Sequence, residues 1–281
     1  MKRAGRWLVL ALAPLATACA GVAEADLAPD PQRRGPQGRT AQFVVECGRS
    51  HYAFDDPIVA PGLPGASHQH QFFGNTQVDA DADYEDVTGA VTTCDQPLDT
   101  ASYWTPTLLD PTGKLVEPHG LTAYYRVGSG IDPAEVEPYP AGLMMVAGDP
   151  GADAAQPVEI VAWSCGSGAV RESVPPECPS DSTLRMVVTF PDCWDGQRLN
   201  GFGSGAHVRY SDNACPEGFP VAVPQLTVAV DFPPVDPDGL SLSSGSMLTG
   251  HADFWNVWDQ DKLEREVTAC LNRDVVCGVS L

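Results

Sequence analysis

Basic residues are scarce in this chain. Its 281 residues include 16 lysines and arginines against 37 aspartates and glutamates, so the formal net charge is −21 at pH 7. A protein that binds nucleic acid needs clustered Lys and Arg side chains to neutralise the phosphates. We therefore expect no nucleic-acid partner, and we interpret most of the carboxylates as a solvated acidic surface.

Several sequence motifs are absent as well. The chain has no paired C-x-x-C spacing of the zinc-ribbon kind, no Gly-x-Ser-x-Gly elbow around Ser67, and no glycine-rich phosphate or dinucleotide loop. Long apolar patterns with a period of about 3.6 residues are scarce, and no internal repeat is found. These absences disfavour serine hydrolases of the elbow type, nucleotide-dependent enzymes and helical bundles.

Histidine is rare too, yet three of the six histidines fall in two short motifs. His68 and His70 lie in Ser67-His68-Gln69-His70-Gln71-Phe72-Phe73-Gly74-Asn75. His251 and Asp253 lie in His251-Ala252-Asp253-Phe254-Trp255-Asn256. In an extended segment, side chains two residues apart leave the same face. We therefore predict that the two motifs meet in one cleft, and that His207 joins them there.

Imidazoles combined with a carboxylate form a ligand set for a divalent metal such as Zn, Cu or Mn, with an open position for water or substrate. We predict His68, His70 and His251 as metal ligands, and the same three histidines with Asp253 as catalytic residues. The residues leave one alternative open, in which the histidines are buried or hydrogen-bonded and only hold loops together.

Further candidates concern a carbohydrate substrate. Asp195 is a catalytic candidate, because a glycosidase uses two carboxyl groups about 5–10 Å apart. The alternative is that Phe190–Gly196 is a disulfide-linked strand end with Asx-type turns. Aromatic faces can stack on sugar rings, whereas Trp104 and Trp163 are expected in the core. The candidate substrate-binding residues are Trp194, Trp255, Tyr103 and His207.

The start of the chain is typical of an export signal. Residues 1–18 have a basic beginning followed by an apolar segment too short to span a bilayer. The segment ends at Ala16-Thr17-Ala18-Cys19, which resembles a lipoprotein cleavage site, and Cys19 is the predicted lipidation site. Ordinary signal cleavage near the same place is the alternative. Residues 19–41 are predicted to form the lipidated cysteine and a flexible tether, which places the protein outside the cytoplasm, anchored to the membrane or secreted.

The cysteine count agrees with lipidation. Nine cysteines are present, and removing Cys19 leaves an even number, which in an exported chain indicates disulfides. Eight cysteines allow about 105 pairings. Short loops favour Cys165–Cys178, Cys193–Cys215 and Cys270–Cys277, which leaves Cys47–Cys94.

Short apolar runs separated by turns dominate the rest of the chain. We predict a mainly β fold for residues 42–281, a single β-sandwich or jelly-roll-like domain with a few short helices and disulfide cross-links. A helix is predicted over residues 259–271, capped by Asp259, and a helical turn over residues 133–136. The predicted strands are Gln42–Val45, Leu121–Arg126, Val158–Trp163, Leu184–Phe190 and Gln225–Phe232.

Pieces along nearly the whole folded part together resemble a secreted domain family, DUF1996, of filamentous fungi and bacteria. The most specific are Ser67-His68-Gln69-His70, Cys193-Trp194-Asp195-Gly196 and His251-Ala252-Asp253-Phe254. After Phe254 the chain departs from the Asn-Gly-Trp of fungal relatives and has Trp255-Asn256-Val257-Trp258. The resemblance implies a secreted domain with this set of residues and no established reaction.

Two classes of function follow from these patterns. The first is a cell-surface enzyme, a hydrolase or other metal-dependent enzyme, that acts on extracellular glycan through the His/Asp cleft. The second is a non-catalytic surface lipoprotein that binds glycan, cell-wall polymer or metal with the same residues.

The anchoring prediction can be tested by Cys19→Ala. The variant should leave the membrane fraction and remain folded, because the acyl chain supplies the membrane affinity and the tether separates it from the domain. Membrane fractionation followed by circular dichroism measures both effects. A variant that still sediments with membranes would show that Cys19 carries no lipid anchor.

Overall fold

The computed structural model of the chain describes residues 32–33, 41–201 and 205–277. The predicted signal peptide, Cys19 and most of the predicted tether lie outside these residues. Among the residues that are described, no helix combines the length and the apolar character that crossing a membrane requires.

Two large sheets form the body of the domain. The first has the strand order β1-β17-β2-β7-β14-β10-β9 and the second has the order β3-β4-β5-β16-β8. Their strands are β1 (Gln32–Arg33), β2 (Gln42–Cys47), β3 (Arg49–Ala53), β4 (His70–Gly74), β5 (Ser102–Pro106), β7 (Gly120–Arg126), β8 (Met144–Gly148), β9 (Val161–Cys165), β10 (Leu184–Thr189), β14 (Gln225–Phe232), β16 (His251–Trp255) and β17 (Val276–Cys277).

Smaller elements complete the chain. A three-stranded sheet has the order β12-β11-β13, and β6 pairs with β15. These strands are β6 (Leu108–Leu109), β11 (Cys193–Trp194), β12 (Val208–Arg209), β13 (Val221–Ala222) and β15 (Ser241–Leu242). The helices are α1 (Tyr84–Val87) and α2 (Gln260–Glu266), with 3-10 turns at Pro133–Glu135 and Met247–Thr249 and a π-helical turn at Val267–Leu271.

The two large sheets face each other across the main core. Strand β7 buries Leu121, Ala123 and Tyr125 and leaves the residues between them half-buried, as alternation along a strand requires. Phe73 and Phe254 of the second sheet belong to the same apolar cluster. The predicted β-sandwich with disulfide cross-links is therefore confirmed.

The second sheet is covered on its outer face as well, where it carries a smaller core. Phe72, Trp104 and Trp255 point to this face and pack with Ile58 from the loop above and with Val87 of α1. All five residues of β4, of β5 and of β16 are consequently buried. This covered outer face is where the histidine motifs lie.

Most predicted elements agree with the structure. The strand predicted over residues 225–232 has those bounds, whereas the strand predicted from Val158 begins at Val161, after a turn closed by the bond from Val161 N to Pro157 O. The predicted C-terminal helix is present as α2, capped by the Asp259 side chain, and continues into the π-helical turn. Trp104 and Trp163 are fully buried, as predicted.

The four predicted disulfides are confirmed. Their sequence separations are 47 residues for Cys47–Cys94, 13 for Cys165–Cys178, 22 for Cys193–Cys215 and 7 for Cys270–Cys277. The disulfide with the longest loop joins Cys47 of β2 to Cys94, whose neighbour Thr93 donates its N–H to the Gly74 carbonyl of β4 at 3.0 Å, so it connects the two sheets of the sandwich.

The disulfides should differ in their contribution to stability. The chain-entropy relation gives about 4 kcal/mol for the Cys47–Cys94 loop and about 2.5 kcal/mol for the Cys270–Cys277 loop. We expect the double variant Cys47→Ser/Cys94→Ser to lose more free energy of unfolding than Cys270→Ser/Cys277→Ser. Urea denaturation of both variants measures the difference, and equal or reversed losses would rule out loop length as the controlling factor.

Candidate functional site

The two histidine motifs meet on the outer face of the second sheet. Strand β5 lies between β4 and β16, and its Pro106 pairs with His70. The His70 and His251 side chains reach toward each other across β5, and their ring centroids are 5.8 Å apart. His68, in the loop just before β4, lies with its ring centroid 4.2 Å from that of His70 and 5.0 Å from that of His251.

The ring nitrogens of the three histidines converge. His68 Nε2 and His251 Nε2 are 3.1 Å apart, and one ring nitrogen from each of the three imidazoles lies within 4.8 Å of the others. Two ligands bound at about 2.1 Å around a tetrahedral metal are themselves about 3.4 Å apart. The spacing of the imidazoles is therefore close to that of a metal's ligand set. The predicted meeting of the two motifs is confirmed for these three histidines.

Backbone carbonyls determine which nitrogen of each buried imidazole carries the proton. His70 Nδ1 lies 2.9 Å from the Asp55 carbonyl oxygen, and His251 Nδ1 lies 2.8 Å from that of Thr249. Because a carbonyl oxygen can only accept, each Nδ1–H must donate, and each Nε2 retains its lone pair. Such outer hydrogen bonds orient histidine ligands in metal sites.

Asp253 lies beside the imidazoles and completes the cluster. Its Oδ2 is 4.0 Å from His70 Nε2 and 3.9 Å from His251 Nε2. The residue is 1% exposed, and within the described part of the chain neither carboxylate oxygen has a hydrogen-bond partner. His70 Nε2 is likewise buried and unpartnered there. A buried carboxylate without donors is costly unless a cation compensates it.

Burial keeps the side chains of the cluster in their neutral forms. Burial, and then the nearby Asp56, raise the pKa of Asp253 well above its ordinary value. Burial lowers the pKa of His251 to about 4 and that of His70 well below its ordinary value. The pKa of His68 is lowered by burial too. The three imidazoles are therefore neutral near pH 7, which is the form that binds a metal.

His207 does not join the cluster, so that part of the prediction is wrong. It lies just before β12, and its Nε2–H donates to the Met144 carbonyl at 2.8 Å. Met144 belongs to β8, which pairs with the side of β16 opposite to β5, so His207 is on the far side of β8 from the imidazoles. It lines a groove along that strand instead.

Asp195 is separate from the cluster as well. It accepts hydrogen bonds from the backbone N–H groups of Gln197 and Arg198, and its Oδ2 forms an ion pair of 2.7 Å with Arg198. Although slight burial opposes the effect, these hydrogen bonds and the Arg198 charge lower the pKa of Asp195. The turn interpretation of this segment therefore fits its geometry. Trp194 is half-buried, and its Nε1–H donates to the Arg198 carbonyl.

Two predicted substrate-binding aromatics are core residues, which corrects the sequence prediction. Trp255 is 1% exposed and packs in the outer small core. Tyr103 is fully buried, where its hydroxyl donates to Asp99 and also contacts the Tyr125 hydroxyl. Because every residue of β5 and β16 is covered on both faces, neither aromatic ring can meet a sugar.

The groups that hold the imidazoles in place could not be identified from the sequence. Asp55 and Thr249 act through their carbonyl oxygens, which leave no residue-type signal. Ser243 bridges the chain, since its hydroxyl donates to the Gln69 carbonyl and accepts from the Thr107 N–H at 3.0 Å. The serine-rich stretch Ser241–Ser246 was the one visible hint.

A separate buried carboxyl makes stability depend on pH. Burial raises the pKa of Asp99 to about 8, although Tyr103 and the Ala101 N–H donate hydrogen bonds to it. The raised value means that Asp99 stabilises the fold at low pH and that this contribution is lost as the pH rises from about 4 to 8.

We therefore predict that Asp99→Asn makes stability less sensitive to pH. Between pH 5 and 8 the variant should lose a few kcal/mol less free energy of unfolding than the wild type, since one pKa unit is about 1.4 kcal/mol. Urea denaturation at the two pH values measures this. Parallel losses in both proteins would mean that Asp99 ionises normally in the fold.

Comparison with known proteins returned one family. The model described as "Domain of unknown function (DUF1996)" matches residues 56–258, which include both histidine motifs. No curated protein and no solved structure matches the chain.

Proposed function

The chain belongs to the DUF1996 family, and we propose that its function depends on a divalent metal ion bound by His68, His70 and His251, with Asp253 beside them. The observation that supports this most is the buried Asp253 carboxylate, which has no hydrogen-bond donor among the described residues and lies 3.9–4.0 Å from two imidazole nitrogens.

Three neutral imidazoles with a nearby carboxylate suit Zn²⁺ well, and imidazole also suits Cu²⁺. With a cation present, the negative charge of Asp253 would be offset where burial otherwise opposes it. Asp253 would then serve as a fourth ligand after a small shift, or would accept a hydrogen bond from a water molecule on the metal. His68 is the one partly exposed member, so the site is reached from its side.

The amount of metal that the protein retains should depend on the three clustered histidines. After incubation with Zn²⁺ and gel filtration, the wild type should retain about one equivalent, and His251→Gln should retain below about a tenth. The matched control is His119→Gln, which removes an exposed histidine outside the cluster and should retain the full equivalent. Elemental analysis measures all three. A wild type that retains no metal would leave the histidines with a structural role only.

Asp253→Asn should have opposite effects with and without metal. In chelator near pH 7 it should raise the melting temperature by several degrees, because the buried Asp253 must take up a proton on folding, at a cost of about 1.4 kcal/mol for each unit by which its pKa is raised, and Asn needs none. With Zn²⁺ it should weaken metal binding about 10–100-fold. Calorimetric scans and zinc titration test the pair of effects, and destabilisation of the chelated variant would contradict the compensating role.

Catalysis on extracellular glycan is the second candidate, and the partly exposed His68 supports it because substrate could reach the metal there. A metal in such a site activates water or polarises a substrate oxygen. The proposed location outside the cytoplasm is supported by the four disulfides, which persist in oxidising compartments. Turnover on a polysaccharide panel should appear with Zn²⁺ and disappear with chelator, and turnover that survives chelation would exclude this mechanism.

A further inference from the structure

Strand β8 is the edge strand of the second sheet, and its outer side faces a groove of about 450 Å³. The groove is lined largely by apolar side chains, among them Ile58, Val146, Ile160 and Pro191. Its volume lies in the range of about 300–1,000 Å³ that ligand sites occupy.

The hydrogen bonds of β8 show which of its peptide groups face this groove. The Asn256 N–H donates to the Leu143 carbonyl at 2.8 Å, so the backbone N–H and carbonyl of Leu143 face β16. The backbone groups of Met144 face away from β16, since its N–H donates to the Leu199 carbonyl and its own carbonyl accepts from His207, both at 2.8 Å. Peptide groups alternate along an antiparallel strand. Val146 and Gly148 therefore direct their N–H groups away from β16, into the groove.

These groups have no partner. Across the described residues, no hydrogen bond reaches Val146 or Gly148 from the groove side. The strand ends at Gly148, whose φ of +86° suits glycine and where a Cβ would lie 2.5 Å from the Gly250 carbonyl oxygen. The free edge thus offers the N–H and carbonyl of Val146 and the N–H of Gly148.

We propose that this groove binds an extended polypeptide segment of a partner protein, which pairs with Val146 and Gly148 as an added strand. Unpaired groups two residues apart, about 6.6 Å along the strand, match the repeat that another strand presents. The apolar lining suits alternate apolar side chains of the segment. Asp149 and Arg209 both line the groove, so no single sign of charge is selected. The proposal does not depend on the metal site.

The test uses the whole folded domain and a defined probe. An acetylated and amidated (Val-Thr)₃ peptide should slow hydrogen exchange of the Val146 and Gly148 amides, which are unbonded in the free protein. A peptide of the same sequence with alternate N-methylated amides should bind at least about 10-fold more weakly, because it cannot form the ladder. NMR exchange and titration measure both.

A variant tests the same edge from the protein side. Val146→Pro removes an N–H that β16 does not use and also changes a side chain that packs on the small outer core, and proline is tolerated at strand edges. It should bind the (Val-Thr)₃ peptide at least about 10-fold more weakly, while the control Val146→Thr, which keeps the N–H, should bind as the wild type does. If Val146→Pro fails to fold, the N-methylated peptide decides the question.

Several results would overturn the proposal. These are equal binding of the two peptides, no protection of the two amides at millimolar peptide, or protection by a chitin tetrasaccharide in place of the peptide. Removal of metal with chelator should leave peptide binding unchanged. A negative result for peptide binding is therefore distinguishable from a negative result for the metal site.

Discussion

Burial of the Asp253 carboxylate is the constraint on which the rest of the site depends. Strand alternation sends Ala252 and Phe254 into the main core, so His251 and Asp253 must point to the outer face. That face is covered, and the carboxylate therefore loses water without gaining a hydrogen bond from the described residues. The cation that we propose at the neighbouring imidazoles would offset this loss, and the neutral state of those imidazoles keeps their lone pairs available.

The covering layer keeps water away from the proposed cation site. Ile58, Val78 and Val87 close a small core over Trp104 and Trp255, which excludes water from most of the cluster. In these surroundings an electrostatic interaction is stronger than in water, and an uncompensated charge is more costly. The same loop that contributes Ile58 also supplies the Asp55 carbonyl that orients His70. Packing and ligand orientation thus come from one segment.

Much of the domain could be predicted from local patterns. An apolar run predicted strand β14, and a capped amphipathic segment predicted the helix after Asp259. Two motifs with polar residues at every second position predicted that His68, His70 and His251 meet. The covered outer face could not be predicted, because the loop above it, residues 54–69 between β3 and β4, is rich in Pro and Gly and has the composition of an exposed turn. For that reason Trp255 was mistaken for a surface residue, whereas Tyr103 was misplaced because it points into the main core between the two sheets. His207 was misplaced because nothing in its sequence surroundings indicates that it bonds to the edge of β8.

Anomalous X-ray diffraction at the zinc absorption edge, from crystals of the zinc-loaded domain, tests the proposed metal centre most directly. We predict a single strong peak bounded by Nε2 of His68, His70 and His251 at about 2.0–2.1 Å, with an Asp253 oxygen either bound or one water molecule away. A peak elsewhere, or no peak beside an unchanged histidine cluster, would contradict the metal centre and leave Asp253 as a buried, protonated structural residue.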